Sequence, residues 1–387
     1  MKYSVAICLM LSLLSATAET PQSVEIRFCP ASAVRTFPLE SRRDLQSLML
    51  QNVAVINHAD ASFKIDSIEI ELLRSGDVLD SKKLDGNTIK HFADRGAKMQ
   101  AAGVLKQVAF QFCGTDLIAP SIKLTGPILK RDEALLVTGQ VFALVGARDT
   151  LRVRVRGDVS KRSTEITATL PIRSDFAKNA YIFPLRGVSY VEVGASFHTA
   201  HRWAIPEEFA LDIGKLGGDG LTHKGDGTRF EDYYAYGADV IAAADGKVVG
   251  AVNDQPEDPT AMQRPGESQE AYFQRLQKDQ SRRIAKGLES LAGNFVTIDH
   301  GKGEYSFYAH LQPGSVRVHV GDQVKAGDVI GKLGSSGNST EPHLHFQVCD
   351  KPDWEMTAGI PMNFANITIP MADLPRPIQS GDVVIAK

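Results

Sequence analysis

The sequence predicts a mainly β protein made of two domains, and three features carry that prediction. The chain has 387 residues, more than one ordinary domain needs and suitable for two. Strand-like segments with alternating apolar and polar residues follow one another through its first half. The 33 glycines and 18 prolines indicate many turns. One stretch, 256–293, has helical periodicity instead and is predicted to be an insertion between strands.

Residues 1–18 have the layout of a secretory signal peptide. The charged Lys2 precedes an apolar core (5–14), and the small-residue pattern ATA (16–18) predicts cleavage before Glu19. The core is too short to span a bilayer as a permanent helix. We therefore expect an exported protein with no transmembrane span.

The charge pattern argues against a nucleic-acid partner. The formal net charge is −3 at pH 7, and lysine, arginine and the acidic residues are interspersed along the chain. Since no basic stripe or patch emerges, the electrostatic footprint of a nucleic-acid-binding protein is missing from the sequence.

Residues 19–180 are predicted to form an immunoglobulin-like β-sandwich. In the segment LRVRVR, the apolar Leu151, Val153 and Val155 fall on one face and three arginines on the other, as in a half-buried antiparallel strand. About seven such segments with regular turns favour a sandwich. We find no catalytic constellation in this half of the chain.

Three cysteines remain once residues 1–18 are removed. Cys29 ends the strand-like segment VEIRFC, and Cys113 ends VAFQFC, which we also interpret as a strand. A Cys29–Cys113 disulfide is therefore plausible in an oxidising compartment. Three cysteines permit three pairings, and Cys349 is better explained as a free buried thiol than as a metal ligand.

The second predicted domain, 181–387, concentrates the histidines. In EPHLHFQV, His343 and His345 flank one leucine in a predicted strand, so both imidazoles face the same side, about 7 Å apart. Cys349 has the same parity, and Tyr308 is expected to share the strand face of His310. Eight of the ten histidines lie in this region: His198, His201, His223, His300, His310, His319, His343 and His345.

Several of these side chains suit a zinc site. A catalytic zinc commonly takes three histidine or carboxylate ligands and leaves a fourth position open for water. The sequence contains neither an HExxH segment nor a GxSxG segment, which argues against a protease of the HExxH type and against a serine triad. The candidates are His201, Asp212, His310, His343 and His345.

Three segments carry a resemblance to a known family. They are GADVIAAADGKVVGAV, GNFVTIDHGKGEYSFYAHL and VRVHVGDQVKAGDVIGKLGSSGNSTEPHLHFQV. In this order they closely resemble the lysostaphin-like zinc metallopeptidases, which cut peptidoglycan cross-links, and the resemblance covers about 195–365. It implies a groove-forming antiparallel β metallopeptidase domain over 181–387, with Zn²⁺ as cofactor and peptidoglycan stem peptides or cross-links as substrate.

The resemblance also implies a metal-ligand set. The family's first metal histidine usually stands four residues before the aspartate, but Glu208 occupies that position before Asp212. His201, eleven residues before Asp212, is the favoured ligand on spacing, and His198 is its rival. The third ligand implied is His345, the second histidine of the HxH motif.

His310 and His343 are then the implied catalytic pair. Because the motif contains no glutamate base, an unliganded histidine has to take the proton of the attacking water. An ordinary histidine pKa near 6.5 suits that task at neutral pH. The second imidazole can donate a hydrogen bond to the developing oxyanion or protonate the leaving amine. The sequence does not divide these two roles between the pair.

Two other interpretations compete with a secreted endopeptidase. The first is a non-catalytic wall-binding or hydrolase-activating protein, against which the near-complete histidine and aspartate set argues. The second is a biotinyl or lipoyl carrier, which the lack of an MKM-like tripeptide argues against. For the endopeptidase we expect a periplasmic or cell-envelope location, and a protein regulator bound through the β-sandwich or the helical insertion.

Overall fold

The computed structural model describes residues 24–40, 44–196, 199, 201–287, 289–353, 356–370, 372 and 376–387. The predicted signal peptide, 1–18, and His198 lie outside these ranges. No helix within the described ranges is long and apolar enough to cross a membrane. Strands outweigh helices in the described chain, which confirms the prediction of a mainly β protein.

The N-terminal part folds into a ten-stranded sheet, counted over the described residues, with helices beside it. The strand order is β5-β4-β9-β10-β2-β3-β8-β6, with β1 paired to β3 and β7 paired to β4. Its elements are β1 (Val24–Cys29), β2 (Val34–Pro38), β3 (Leu45–Asn57), β4 (Phe63–Arg74), β5 (Asp77–Leu84), α1 (Gly86–Ala101), α2 (Val104–Gln107), β6 (Lys123–Leu124), β7 (Ile128–Leu129), β8 (Glu133–Val145), β9 (Thr150–Val159) and β10 (Arg162–Arg173).

This sheet has two halves, β5-β4-β9-β10 and β2-β3-β8-β6, which share one hydrophobic core. They are joined by β10 and β2, whose parallel pairing comprises two residue pairs, and side chains from β3, β4, β8 and β9 belong to one hydrophobic cluster. Leu151, Val153 and Val155 are fully buried, as the alternation in LRVRVR predicts, whereas Arg154 lies 3.0 Å from Glu71 on the other face. The immunoglobulin-like classification of this unit stays a prediction.

The segment before Cys113 is helical, so its prediction as a strand is wrong. After α2 the chain continues into a 3₁₀ turn, Ala109–Phe112. Leu105, Val108 and Phe112 contact the same hydrophobic cluster at spacings of three and four residues. That spacing places them on one side of a helical stretch. The apolar residues of VAFQFC fit a strand locally, and only the longer pattern separates the two conformations.

The cysteines pair as Cys29–Cys113, which confirms the favoured disulfide. Cys29 lies in a hydrophobic cluster that also contains Ile205, from the C-terminal part of the chain. Cys349 is a free buried thiol, and burial raises its pKa to about 12. A thiol with such a pKa stays protonated at neutral pH and is a poor ligand.

The C-terminal part forms a nine-stranded sheet and a two-stranded sheet within the described residues. The large sheet has the order β17-β14-β15-β16-β19-β12-β11-β21-β20, and β13 pairs with β18 in the small one. Its elements are β11 (Gly187–Val193), β12 (Leu211–Lys215), β13 (Asp239–Ile241), β14 (Gly246–Val252), α3 (Gln269–Lys286), α4 (Glu289–Ala292), β15 (Asn294–Asp299), β16 (Tyr305–Leu311), β17 (Gln323–Val324), β18 (Val329–Lys332), β19 (Leu344–Cys349), β20 (Ile367–Thr368) and β21 (Val383–Ala386).

Both α3 and α4 lie inside the stretch 256–293, where the sequence predicts a helical insertion. The side-chain oxygen of Ser268 caps α3 by accepting a hydrogen bond from the Ala271 N–H, 3.2 Å away. Behind α4, Gly293 packs so closely that a Cβ there would lie 2.5 Å from the carbonyl carbon of Ser336. The insertion therefore ends directly against the loop that contains Ser336.

The side chain of Tyr308 belongs to the core of the large sheet. It is fully buried in the main hydrophobic cluster, and its hydroxyl accepts hydrogen bonds from the Ala243 N–H (2.7 Å) and the Ser306 hydroxyl (3.0 Å). Its partner in the β16–β19 register, Phe346, faces the same core. Tyr308 therefore does not share a face with His310, and the expectation that it does is wrong.

We expect Tyr308→Phe to lower the free energy of unfolding by about 1–3 kcal/mol, because it leaves the buried Ala243 N–H without an acceptor. Chemical denaturation monitored by circular dichroism measures the change. Tyr234→Phe is the matched control, since its exposed hydroxyl binds only the surface carboxylate of Asp219 among the contacts described. Equal losses in the two variants would contradict this account of Tyr308.

Candidate metal centre and active site

The sheet register places Asp212 directly opposite His345. Asp212 in β12 pairs with His345 in β19, which in turn pairs with Ala309 in β16. Along β19, Leu344 and Phe346 enter the hydrophobic core, so the alternate residues face the opposite side of the sheet. His345 and Asp212 thus meet on that side, where His343 also lies.

His201 reaches the same place from outside the sheet. It begins a 3₁₀ turn, His201–Trp203, and its Nε2 lies 3.2 Å from Oδ2 of Asp212. Its other ring nitrogen, Nδ1, donates to the carbonyl oxygen of Ala210 at 3.3 Å. His201 is 8% exposed.

His310 arrives there through a distortion of β16. Its φ is +65°, in the left-handed region that a residue with a side chain rarely adopts. The pairing of β15 with β16 shifts register between Asn294 and Val296, opposite this point. Regular alternation would direct His310 to the side of Tyr308, but the irregularity turns its ring to the side of His345, 6.0 Å between ring centroids. Strained residues of this kind cluster at functional sites.

Four histidines surround the site: His201, His310, His343 and His345. Each donates one ring N–H to a nearby oxygen, which fixes its tautomer. For His201 this oxygen is the Ala210 carbonyl, as described above. His345 Nε2–H donates to Oε1 of Gln347 (2.9 Å). His310 Nδ1–H donates to the Ser336 carbonyl (2.8 Å), and His343 Nδ1–H to the Glu341 carbonyl (2.8 Å). Whenever a ring is neutral, its second nitrogen is therefore the one that carries a lone pair.

The second nitrogens of His201, His343 and His345 converge on the carboxylate of Asp212. His345 Nδ1 lies 3.0 Å from Oδ1, and the Nε2 of His343 lies 3.6 Å from the same oxygen. Ligand atoms of His201, Asp212 and His345 all lie within 4.8 Å of one another. Positive charge beside the carboxylate stabilises this arrangement, whether a ring proton or a bound cation supplies it, and two imidazoles with one carboxylate are a ligand set that suits Zn²⁺.

The electrostatics of the protein alone point to the same need for positive charge. Burial tends to raise the pKa of Asp212, but the His201 and His343 imidazoles hold it well below its usual range. Burial tends to lower the pKa of His201, yet the Asp212 carboxylate raises it to about 9. The pKa of His310 falls well below its usual range, first through burial and then through His343 and His345. The Asp212 side of the site thus attracts cations, whereas His310 stays neutral.

Comparison with known proteins places this part of the chain in a family. Residues 225–356, about a third of the chain, match the model of peptidase family M23. The chain contains a peptidase family M23 domain. The matched stretch includes His310, His343 and His345, and it begins after His201 and Asp212.

Curated relatives match this chain over short segments. A DD-carboxypeptidase/endopeptidase, Mpg, of Neisseria meningitidis serogroup B is 36% identical over 89 residues, 23% of this chain and 18% of the relative. The peptidoglycan DD-endopeptidase ShyA of Vibrio cholerae is 37% identical over 81 residues, 21% of this chain and 17% of the relative. This chain therefore spans less than a fifth of the length of either protein. The solved catalytic domain of lysostaphin from Staphylococcus simulans is 20% identical, with 45% of this chain and 88% of that one covered and a TM-score of 0.25.

The sequence-predicted site residues come together in and beside the M23 domain. The predicted ligands His201, Asp212 and His345 form one group, and the rings of the predicted catalytic pair, His310 and His343, lie 4.8 Å apart between centroids. Their roles stay predictions.

Sequence reasoning missed the groups that orient these rings. Gln347 lies two residues after His345 on the same strand face, so strand parity was a signal that could have revealed it. Its amide Nε2–H also donates to Sγ of Cys349 (3.0 Å), which directs Oε1 toward His345. The carbonyl oxygens of Ala210, Ser336 and Glu341 had no sequence signal, since any residue type supplies a carbonyl.

Proposed function

We propose that this protein is an exported zinc endopeptidase that hydrolyses peptide bonds in peptidoglycan cross-links. The observation that carries the proposal is the convergence of the buried His201 and His345 and the partly buried Asp212 beside two further buried histidines, His310 and His343. The M23 match and the similarity to ShyA, a peptidoglycan DD-endopeptidase, support the substrate class. The signal-peptide pattern of residues 1–18 and the disulfide support export.

The proposed ligands are His201 through Nε2, Asp212 through its carboxylate and His345 through Nδ1. Zn²⁺ held by these groups would polarise a substrate carbonyl and lower the pKa of a bound water toward about 7. Gln347 and the Ala210 carbonyl keep the two imidazoles in the tautomers that coordination requires. Such supporting partners typically contribute a factor of about 10–100 in metal affinity.

The proposed proton carriers are His310 and His343. Since each donates its Nδ1–H to a backbone carbonyl, each is left with Nε2 as an acceptor. One of them takes the proton of the attacking water. The other stabilises the developing oxyanion or delivers a proton to the leaving amine.

The decisive experiment treats purified sacculi with zinc-loaded full-length protein and identifies the released muropeptides by mass spectrometry. We expect cross-linked muropeptides to be converted to monomers, the conversion to stop on chelation, and zinc to restore it. Protein that binds zinc and leaves sacculi uncut would contradict the proposed substrate. Protein that binds no zinc and cuts nothing would instead favour the non-catalytic alternative, a wall-binding or hydrolase-activating protein.

A further inference from the structure

The turn that carries His201 lies between the two sheets of the molecule. Asp212 is fixed within the large sheet by pairing with Val193 on one side and His345 on the other. His201 has no such neighbours, because eleven residues and a 3₁₀ turn separate it from Asp212. Its position therefore depends on what holds the turn.

Arg202, the residue after His201, anchors the turn to the N-terminal sheet. It is 1% exposed, and its Nη1 donates to the hydroxyl of Ser47 in β3 at 2.9 Å. Its Nη2 lies 3.3 Å from the carboxylate of Glu208, which is 5% exposed. The guanidinium also lies over the rings of Phe37 in β2 (6.0 Å) and Phe209 (5.4 Å). A buried charge is retained only where such partners compensate its lost hydration.

The backbone and the next side chains of the turn are held by the same sheet. The amide Nε2–H of Gln51 in β3 donates to the carbonyl oxygen of Arg202 at 3.4 Å. The ring of Trp203 covers Gly139 of β8 so closely that a Cβ there would lie 2.2 Å from it. Ile205 is buried in the hydrophobic cluster around Cys29.

We propose that the N-terminal domain is a working part of the metal centre, because it positions His201 through the Arg202–Glu208 pair and the seat of Trp203. Arg202 acts as a positioning residue: it touches neither metal nor substrate, and it sets where the imidazole beside it points. This inference rests on the proposed function, since it assigns the support of one of the proposed zinc ligands. It predicts that changes confined to β3 and β8 alter metal binding at a site in the other domain.

The test uses full-length protein in which Co²⁺ replaces Zn²⁺, so that the visible absorption spectrum reports the ligand geometry. Arg202→Met combined with Glu208→Gln removes both buried charges together, so that no buried charge is left without a partner. We expect a changed Co²⁺ spectrum and a zinc affinity lowered by about 10–100-fold, as for the loss of a ligand's support. Competition with a chelating dye measures the affinity.

Two comparisons separate positioning from general loss of stability. Glu71→Gln disrupts a buried ion-pair network in the same sheet, with Arg152 and Arg154, and should leave spectrum and zinc affinity as in the wild type even if the unfolding temperature falls. Ser47→Ala, in β3, removes the hydroxyl that accepts from Arg202 Nη1 and should shift the spectrum without removing a charge.

The outcomes are distinguishable. If the double variant is folded and keeps the wild-type spectrum and zinc affinity, this inference is overturned and the proposed function stays intact. If the double variant fails to fold, the same result in Ser47→Ala has the same meaning. If Glu71→Gln changes the spectrum as much as the double variant does, the effect is one of stability and the inference is wrong. Wild-type protein that holds neither metal would overturn the proposed function and this inference together.

Discussion

Asp212→Ala and His345→Ala are each expected to lose zinc and turnover together, whereas His310→Ala and His343→Ala keep zinc and lose turnover. Asp212 supplies the one carboxylate among the three proposed ligands, and ring nitrogens of the two imidazoles face it at 3.0 and 3.2 Å. Without it the site loses the charge that attracts a cation. Without His345, only two of the three proposed protein ligands remain, whereas a catalytic tetrahedral zinc site commonly has three.

The catalytic pair is expected to behave differently because neither ring belongs to the group of converging ligand atoms. His310 is fixed by the Ser336 carbonyl, and His343 by the Glu341 carbonyl. General acid–base residues typically contribute a factor of 10²–10⁴ to the rate. We therefore expect kcat to fall by about that factor in either variant, with zinc affinity within a few-fold of the wild type.

Zinc content by atomic emission and muropeptide release by mass spectrometry measure the two properties on the same samples. His319→Ala is the matched control, since its side chain is 89% exposed and lies outside the site. Loss of zinc in His343→Ala together with retention in His345→Ala would invert the assignment within the HxH motif. Retention of zinc by Asp212→Ala would remove the carboxylate from the ligand set altogether.

The distinction between His343 and His345 shows how far strand alternation reaches. Parity alone puts both rings on one face, and the structure agrees. Parity does not say which ring nitrogen is free, because this depends on Gln347 beyond one histidine and on the Glu341 carbonyl before the other. The sequence thus predicts the residues at the site, while the hydrogen bonds that make them unequal come from the folded chain.

His310 marks where alternation fails. Counting by twos from Tyr308 directs its ring into the core, and the left-handed φ of His310 reverses that direction. Backbone distortion of this kind arises from the register of β15 against β16, which brings together residues remote in sequence. It leaves no local signal in the segment YSFYAHL. The same holds for His201, which lies in a turn that contacts the N-terminal sheet through Arg202.

Removing the Cys29–Cys113 disulfide, by Cys29→Ala with Cys113→Ala, is expected to lower the free energy of unfolding of the N-terminal domain by about 2–5 kcal/mol. The bridge closes a segment of 84 residues, and the loss of chain entropy in the unfolded state gives about 4–5 kcal/mol for a loop of that length. Cys29 is fully buried, so the variant also loses some packing.

Guanidinium denaturation of the full-length protein, with and without dithiothreitol, measures the effect. Reduced wild-type protein should approach the variant, and the variant should not respond to the reductant. Cys349→Ala is the control for removal of a buried thiol, and its loss of unfolding free energy should be smaller because the bridge remains.

Since Ile205 shares the cluster of Cys29, we also expect the variant without the disulfide to bind zinc more weakly under conditions that loosen the N-terminal part of the chain. An unfolding midpoint unchanged by both substitution and reductant would mean that the helical segment α2 and its 3₁₀ turn are held by packing alone.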